Sequence, residues 1–157
     1  MVPRSLLFVC HGNICRSPYA EAATRAAFAR LQHAPAVASG GLIGPDRPSP
    51  QEAVLAARER GLDLADHRSQ LVTAASAAQA DLVLVMDTAQ RHTLHTMFRV
   101  PMSRLMLLGD LDPVAITTRA IPDPVEQPLD AFRSCYDRID RCVSALAGAL
   151  RGGAPRL

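Results

Sequence analysis

The chain has 157 residues, 48% of them apolar and 20% charged, with a formal net charge of +2. That length suits one domain, residues 1–157, with a core that needs neither disulfides nor metals. The near-neutral balance excludes a nucleic-acid binder that works by bulk phosphate neutralisation, and no apolar run reaches the roughly 18 residues of a membrane span.

The apolar run before Cys10 is too short for a secretory leader, and His11, Asn13 and Arg16 follow at once, so a cytoplasmic protein is expected. The cysteines Cys10, Cys15, Cys135 and Cys142 have no zinc-type spacing. In a reducing compartment their default state is the free thiol, and neither a metal nor a cofactor is expected.

In chain order, Leu6–Val9 reads as a buried strand. Ser17-Pro18 reads as an N-cap and first helical residue, and the alanine-rich segment after it carries a helix to about Leu31. Ala36–Ser39 is a second short strand, followed by a loop with Gly40, Gly41, Gly44, Pro45 and Pro48. Ser49-Pro50-Gln51-Glu52 has the pattern of a capping box; the helix it opens runs to Arg60 and stops at Gly61. Asp81–Met86 is a buried strand. Thr88–Phe98 is helical with Asp87 as its cap, and Leu105–Leu108 is a fourth strand. Gly109–Gln127 is a long loop of the kind that often carries function. Pro128 opens the last helix, where Leu129, Phe132, Tyr136, Ile139, Val143, Leu146 and Leu150 recur at helical spacing. Cys135 and Cys142 lie on or beside that stripe as core thiols, about 10 Å apart and too distant to pair.

Strands that alternate with helices predict an α/β fold: a single domain with a four-stranded parallel sheet flanked by helices on both faces. Ligands in such sheets bind beyond the carboxyl ends of the strands. The turn Cys10–Arg16 lies at such an end, between the first strand and the first helix.

That turn reads Cys10-His11-Gly12-Asn13-Ile14-Cys15-Arg16-Ser17. Successive backbone N–H groups in a turn of this kind can form an anion nest, and the helix behind it adds unsatisfied N–H groups and its dipole. Gly12 permits unusual backbone angles. The planar fork of Arg16 matches two phosphate oxygens. The positive surroundings favour a thiolate at Cys10, and the Ser17 hydroxyl can donate to it. Cys10 is thus a candidate nucleophile and Arg16 a candidate catalytic cation, with His11, Gly12, Asn13, Ile14, Cys15, Arg16 and Ser17 binding phosphate. A buried cysteine at the end of a core strand, followed by a helix cap, would read the same way from Cys10 and Arg16 alone. The context of strand, turn and helix N-terminus favours the functional reading.

The string Leu-Phe-Val-Cys-His-Gly-Asn-Ile-Cys-Arg-Ser-Pro-Tyr-Ala-Glu, residues 7–21, resembles the signature of the low-molecular-weight protein tyrosine phosphatases. Further similar segments are Ser39-Gly40-Gly41, Gly61-Leu62 through His67-Arg68-Ser69-Gln70-Leu71, Leu82–Asp87, and Pro122-Asp123-Pro124 with Phe132 and Tyr136 downstream. The resemblance implies a four-stranded parallel sheet and hydrolysis of phosphotyrosine through a cysteinyl-phosphate. It implies a phosphorylated protein as partner, in bacteria often a tyrosine kinase of polysaccharide export, and a monomer or weak dimer is expected.

The leaving group of an aryl phosphate needs a proton, so a carboxylic acid is expected to face the loop. Two Asp-Pro pairs compete, Asp112-Pro113 and Asp123-Pro124, and composition does not separate them. Family spacing does: the acid stands nine positions before the first large aromatic of the last helix, as Asp123 stands before Phe132. The resemblance also implies that Asn13, Ser17, Ser39 and His67 brace the phosphate loop, and that Cys15 forms a reversible disulfide with Cys10 under oxidation.

The chain departs from tyrosine-specific relatives at the rim. Val125 and Glu126 follow Pro124, and Leu42 and Ile43 follow the second strand, where aromatics are usual; Glu126 is expected to repel acidic substrates. An arginine phosphatase on the same scaffold would have a small polar residue in place of Ile14. An arsenate reductase would need two relay cysteines near the third strand, and residues 71–100 have none. A phosphate-binding protein without turnover would have no use for Cys10, Arg16, Ser17 and Asp123 together.

Overall fold

The short apolar segments pair in parallel as β1 (Ser5–Cys10), β2 (Ala36–Gly41), β3 (Leu82–Val85) and β4 (Leu105–Leu107), in the spatial order β2-β1-β3-β4. The structure, a computed structural model, describes residues 2–116 and 118–152. Its helices are α1 (Arg16–Phe28), α2 (Gln51–Glu59), α3 (Ala74–Gln79), α4 (Thr88–Thr96) and α5 (Leu129–Arg151).

Because side chains alternate along a strand, the two faces of the sheet fill different cores. Leu6, Phe8 and Cys10 of β1 and Leu82 and Leu84 of β3 pack with α1, α2 and α5. Leu7, Val9, Val83, Val85, Leu105 and Leu107 pack with Ala77 of α3 and Leu94 of α4. Burial on both sides is why the strands read as unbroken apolar runs rather than alternating ones. The chain leaves β1 for β2 on one side and later returns to β3 on the other. The strand order therefore reverses at the carboxyl end of β1, the place where such sheets bind ligands. On α5 the buried face is Phe132, Cys135, Tyr136, Ile139, Cys142, Val143, Leu146 and Leu150. Each fully buried large side chain contributes about 1.5–3 kcal/mol.

Three sequence expectations need correction. α1 starts at Arg16 with Cys15 as its N-cap, two residues ahead of the expected Ser17 cap, and ends at Phe28 rather than at about Leu31. Ser17 is buried and its hydroxyl is engaged elsewhere, while Pro18 falls in the first turn, where its missing N–H costs nothing. α2 lacks the expected capping box: Pro50, extended at φ −62° and ψ 158°, is itself the N-cap, and the Ser49 hydroxyl is buried without a partner. α3 was not anticipated; Thr73 and Ser76 cap it reciprocally, with serine in the place the usual signature gives to glutamate or glutamine. The stop at Gly61 is as expected. Gly61 N donates to Arg58 O and Leu62 N to Ala57 O, with Gly61 at φ +77°, a Schellman close. Asp87 caps α4 by accepting from Gln90 N.

Candidate active site

β1 ends on Cys10, which is buried, and the chain turns sharply into α1. The turn is possible because Asn13 takes a left-handed φ of 53°, a conformation asparagine tolerates better than most residues. The same Asn13 is the hub of a buried network. Its Nδ2 donates to Ser17 Oγ at 2.8 Å and to Ser39 Oγ at 2.9 Å, and its Oδ1 accepts from Gln70 N at 3.0 Å. Its carbonyl is 2.6 Å from His67 Nε2, and Gln70 Nε2 closes the ring on Ser39 O at 3.0 Å. A Cβ on Gly41 would come within 3.0 Å of Asn13 N and Gly12 C, so β2 reaches the loop only because it ends in glycine.

This network determines what the sulfur sees. Ser17 Oγ accepts from Asn13, which leaves its own proton for Cys10 Sγ, 2.9 Å away. Ser17 N adds a second donor at 3.4 Å. Among the described residues, no acceptor takes the amides of Gly12, Asn13, Ile14 or Cys15. Unspent N–H groups beside a helix N-terminus form an anion cradle.

Arg16 is 3% exposed. Its Nη1 donates to Ile121 O at 2.9 Å and its Nη2 lies 3.2 Å from Asp123 Oδ2, while Nε is buried without a partner. Asp123 in turn accepts from Val125 N at 3.1 Å, which holds its carboxylate at the cavity wall. Cys10, Ile14, Ile43, Arg47, Asp123 and Val125 line a cavity of about 170 Å³. Leu42 faces instead a neighbouring cleft, shared with Asp87, Gln90 and Thr93.

The competing aspartate is elsewhere. The side chain of Asp112 is fully enclosed and accepts from Arg138 Nε at 3.3 Å and from Arg141 Nε and Nη2, both at 3.0 Å. The Arg141 hydrogen bonds are the largest influence holding its carboxyl below the usual carboxylate range. Asp112 ties α5 to the loop before the site; Asp123 is the carboxylate beside Arg16.

Two supporting residues escaped the sequence reading. Tyr136 OH donates to the Cys15 carbonyl at 2.8 Å, and its ring stacks on Tyr19 at 3.8 Å and 6°. Tyr19 OH donates to Asp140 at 2.7 Å. Tyr136 lies on the apolar stripe of α5 and Tyr19 within the string that follows the loop, and only their hydroxyls signal more. Burial, joined by the charges of Asp123 and Cys10, pushes the Cys15 thiol far above its ordinary range. Burial likewise pushes Cys135 and Cys142 each up to about 12, as suits core thiols. All four cysteines are free.

A parallel sheet with a Cys-to-Arg phosphate loop at its switch point defines an α/β phosphatase-type domain. The family model described as low molecular weight phosphotyrosine protein phosphatase matches residues 5–154, and the chain belongs to that family. A probable low molecular weight protein-tyrosine-phosphatase, EpsP of Ralstonia nicotianae, is 32% identical over 94% of this chain and 97% of its own length. The structure of Vibrio vulnificus Wzb in complex with benzylphosphonate superposes with a TM-score of 0.81 at 31% identity, covering 92% of this chain and 97% of that one. The YwlE arginine phosphatase of Geobacillus stearothermophilus superposes with a TM-score of 0.84 at 26% identity, covering 96% and 95%.

Proposed function

We propose that this protein hydrolyses phosphotyrosine in proteins through a cysteinyl-phosphate on Cys10. The observation that carries the reading is the small cavity lined by the Cys10 sulfur, the loop with its unspent amides and Asp123, with the buried Arg16 guanidinium, its Nε free, reaching Asp123 from the adjoining cleft. The amides and Arg16 hold the three non-bridging oxygens of the phosphate, and the Cys10 thiolate attacks phosphorus in line with the leaving oxygen. Arg16 and the amides meet the spreading charge of the trigonal-bipyramidal transition state with donors already in place. Arg16 pairs with Asp123. A bound dianion takes over the guanidinium, and Asp123, acting as general acid, delivers a proton to the phenolate oxygen. Asp123, now a carboxylate, draws a proton from the water that cleaves the S–P bond, and phosphate leaves. No step calls for a metal, since Arg16 and the amides supply the positive charge.

The aliphatic walls Ile14, Ile43 and Val125 suit an aryl ring, and the benzylphosphonate bound by the Vibrio protein is of that chemistry. The likeness to YwlE favours phosphoarginine as the second reading; an apolar Ile14 in the cavity wall weighs against it. The partner we propose is a phosphorylated protein, a tyrosine kinase among the candidates, met by a cytoplasmic monomer or weak dimer. Among the described residues no helix is long and apolar enough to cross a membrane.

The test is Cys10→Ser with phenyl phosphate and a phosphotyrosine peptide as substrates. Turnover is expected to vanish while vanadate still binds, and rapid quench of the wild type is expected to trap phosphate on Cys10. Full activity in Cys10→Ser, or complete loss of wild-type activity with a chelator, would overturn the mechanism.

A further inference from the structure

The rim of the cavity over Cys10 carries a cation that the reaction does not use. Arg47 lines the cavity, yet its guanidinium has no salt-bridge or hydrogen-bond partner among the described residues. Its backbone is tightly fixed. Arg47 N donates to Ser69 Oγ at 2.9 Å, Ser69 N donates to Arg47 O at 2.8 Å, and Asp46 N donates to Ser69 O at 2.7 Å. Pro48 and Arg68 pair in the next bridge. The side chain lies folded across Gly44: a Cβ there would sit 2.9 Å from Arg47 Cδ and 3.0 Å from Nη1. A pinned backbone and a glycine recess hold this exposed side chain at the edge of the cavity. Arg68, exposed on the adjoining strand-like segment, adds a second positive charge.

The rest of the rim offers little to oppose these charges. Ile43 and Val125 are apolar, and the carboxylate among the lining residues is Asp123, which the proposed mechanism gives to the leaving group. Glu126, expected from the sequence to repel acidic substrates, takes a φ of 61° and is not among the lining residues.

We propose that Arg47 selects phosphotyrosine substrates that carry an acidic residue beside the phosphorylated one. The proposal rests on the phosphatase reading above. The phosphate is held by the cradle and Arg16, so Arg47 meets the peptide next to the tyrosine, where a carboxylate completes an ion pair at the water-exposed rim. A pair of this kind is weak and salt-sensitive, and a preference of about three- to fivefold in kcat/KM is expected at low salt.

Two phosphotyrosine peptides of equal length, one with glutamate on both sides of the tyrosine and one with serine, are compared on the same preparations of wild type, Arg47→Ala and Arg47→Glu. Taking the ratio within each preparation cancels any unfolded fraction. The glutamate peptide is expected to be preferred by wild type, to lose its advantage with Arg47→Ala, and to become the poorer substrate with Arg47→Glu. The wild-type preference is expected to fade in high salt. Equal kcat/KM for both peptides in wild type, or a preference that survives Arg47→Glu, overturns the role of Arg47 and leaves the phosphatase reading standing. Failure of wild type to hydrolyse either peptide overturns that reading and this inference with it.

Discussion

Asparagine at each of the two Asp-Pro pairs separates a structural carboxylate from a chemical one. The Asp112 side chain is 0% exposed and holds Arg138, itself only 8% exposed. Breaking a buried pair by removing one partner costs about 3–5 kcal/mol. Here the cost is lower: Arg141, at 38% exposure, can turn to water, and Arg138 keeps the Thr118 and Ala120 carbonyls at 2.7 and 2.6 Å. Asp112→Asn is therefore expected to lose about 2–3 kcal/mol, or roughly 5–10 °C in Tm for a domain of this size. Asp123 is 34% exposed and keeps one ion pair at 3.2 Å, so Asp123→Asn is expected to cost no more than about 1 kcal/mol. In the chemistry the order reverses. Asp123→Asn is expected to slow single-turnover phosphoryl transfer from phenyl phosphate by roughly 10²–10⁴, and the deficit is expected to shrink as the leaving phenol becomes more acidic. Any rate loss in Asp112→Asn is expected to be the same for all phenols.

The pH dependence of stability gives an independent check on Asp112. Its carboxyl is held below the usual range in the folded protein, chiefly by the Arg141 hydrogen bonds. A depressed carboxyl contributes in full above the unfolded value of about 4, and the contribution is lost as pH falls through the folded value. The stability gap between wild type and Asp112→Asn is thus expected to be constant above about pH 5 and to close on acidification, as followed by urea unfolding at each pH. A Tm within 2 °C of wild type for Asp112→Asn would refute the reasoning on stability. A uniform deficit across phenols in Asp123→Asn, or a leaving-group-dependent one in Asp112→Asn, would show that the acid is wrongly assigned.

Arg16→Lys keeps the charge but loses the planar fork that matches two phosphate oxygens, and it is expected to lose at least about a hundredfold in kcat, the scale of a lost transition-state donor; near-normal kcat would contradict bidentate recognition. Peroxide is expected to oxidise Cys10 to a sulfenic acid, which the Cys15 thiol converts to a disulfide with loss of water. Because burial keeps Cys15 protonated, closure is expected to speed up as pH rises. Reductant is expected to restore wild type but not Cys15→Ser, and equal irreversible loss in both would remove the protective role of Cys15.

Much of the fold was legible because each strand is buried on both faces, so runs such as Leu82–Val85 have no competing helical period. The nearness of Cys10 and Arg16 followed from local spacing alone. Helix starts were less legible, since a cap depends on where a side chain is needed. Ser17 looks like a cap in sequence, but Asn13 and Cys10 claim its hydroxyl. Ser49 has the right neighbours for a capping box, yet Pro50 occupies the cap. The role of Tyr136 was hidden for a different reason: its ring obeys the α5 stripe, and nothing local indicates that its hydroxyl meets a carbonyl 121 residues away. Arg47 was invisible because its meaning depends on Ser69 and Gly44 fixing where it points.

The commitments of the phosphate loop explain why it is cationic without a cluster of cations. Its carbonyls at alternate positions are all taken from outside: His11 O by the amides of Leu42 and Ile43 at 2.8 and 3.2 Å, Asn13 O by His67, and Cys15 O by Tyr136. Each partner comes from a different part of the chain, namely the loop after β2, the segment before α3, and α5. With these three carbonyls satisfied outward, the N–H groups of Gly12, Asn13, Ile14 and Cys15 stay uncommitted among the described residues. A peptide whose carbonyl is pinned cannot rotate to answer a changing charge, so the amides of Gly12, Ile14 and Arg16, which share a peptide plane with these three carbonyls, are held in place. Donors that do not reorganise stabilise a transition state more than a ground state. On the proposed mechanism, the distant partners His67 and Tyr136 are expected to act on turnover through the orientation of the Ile14 and Arg16 amides, which they do not touch.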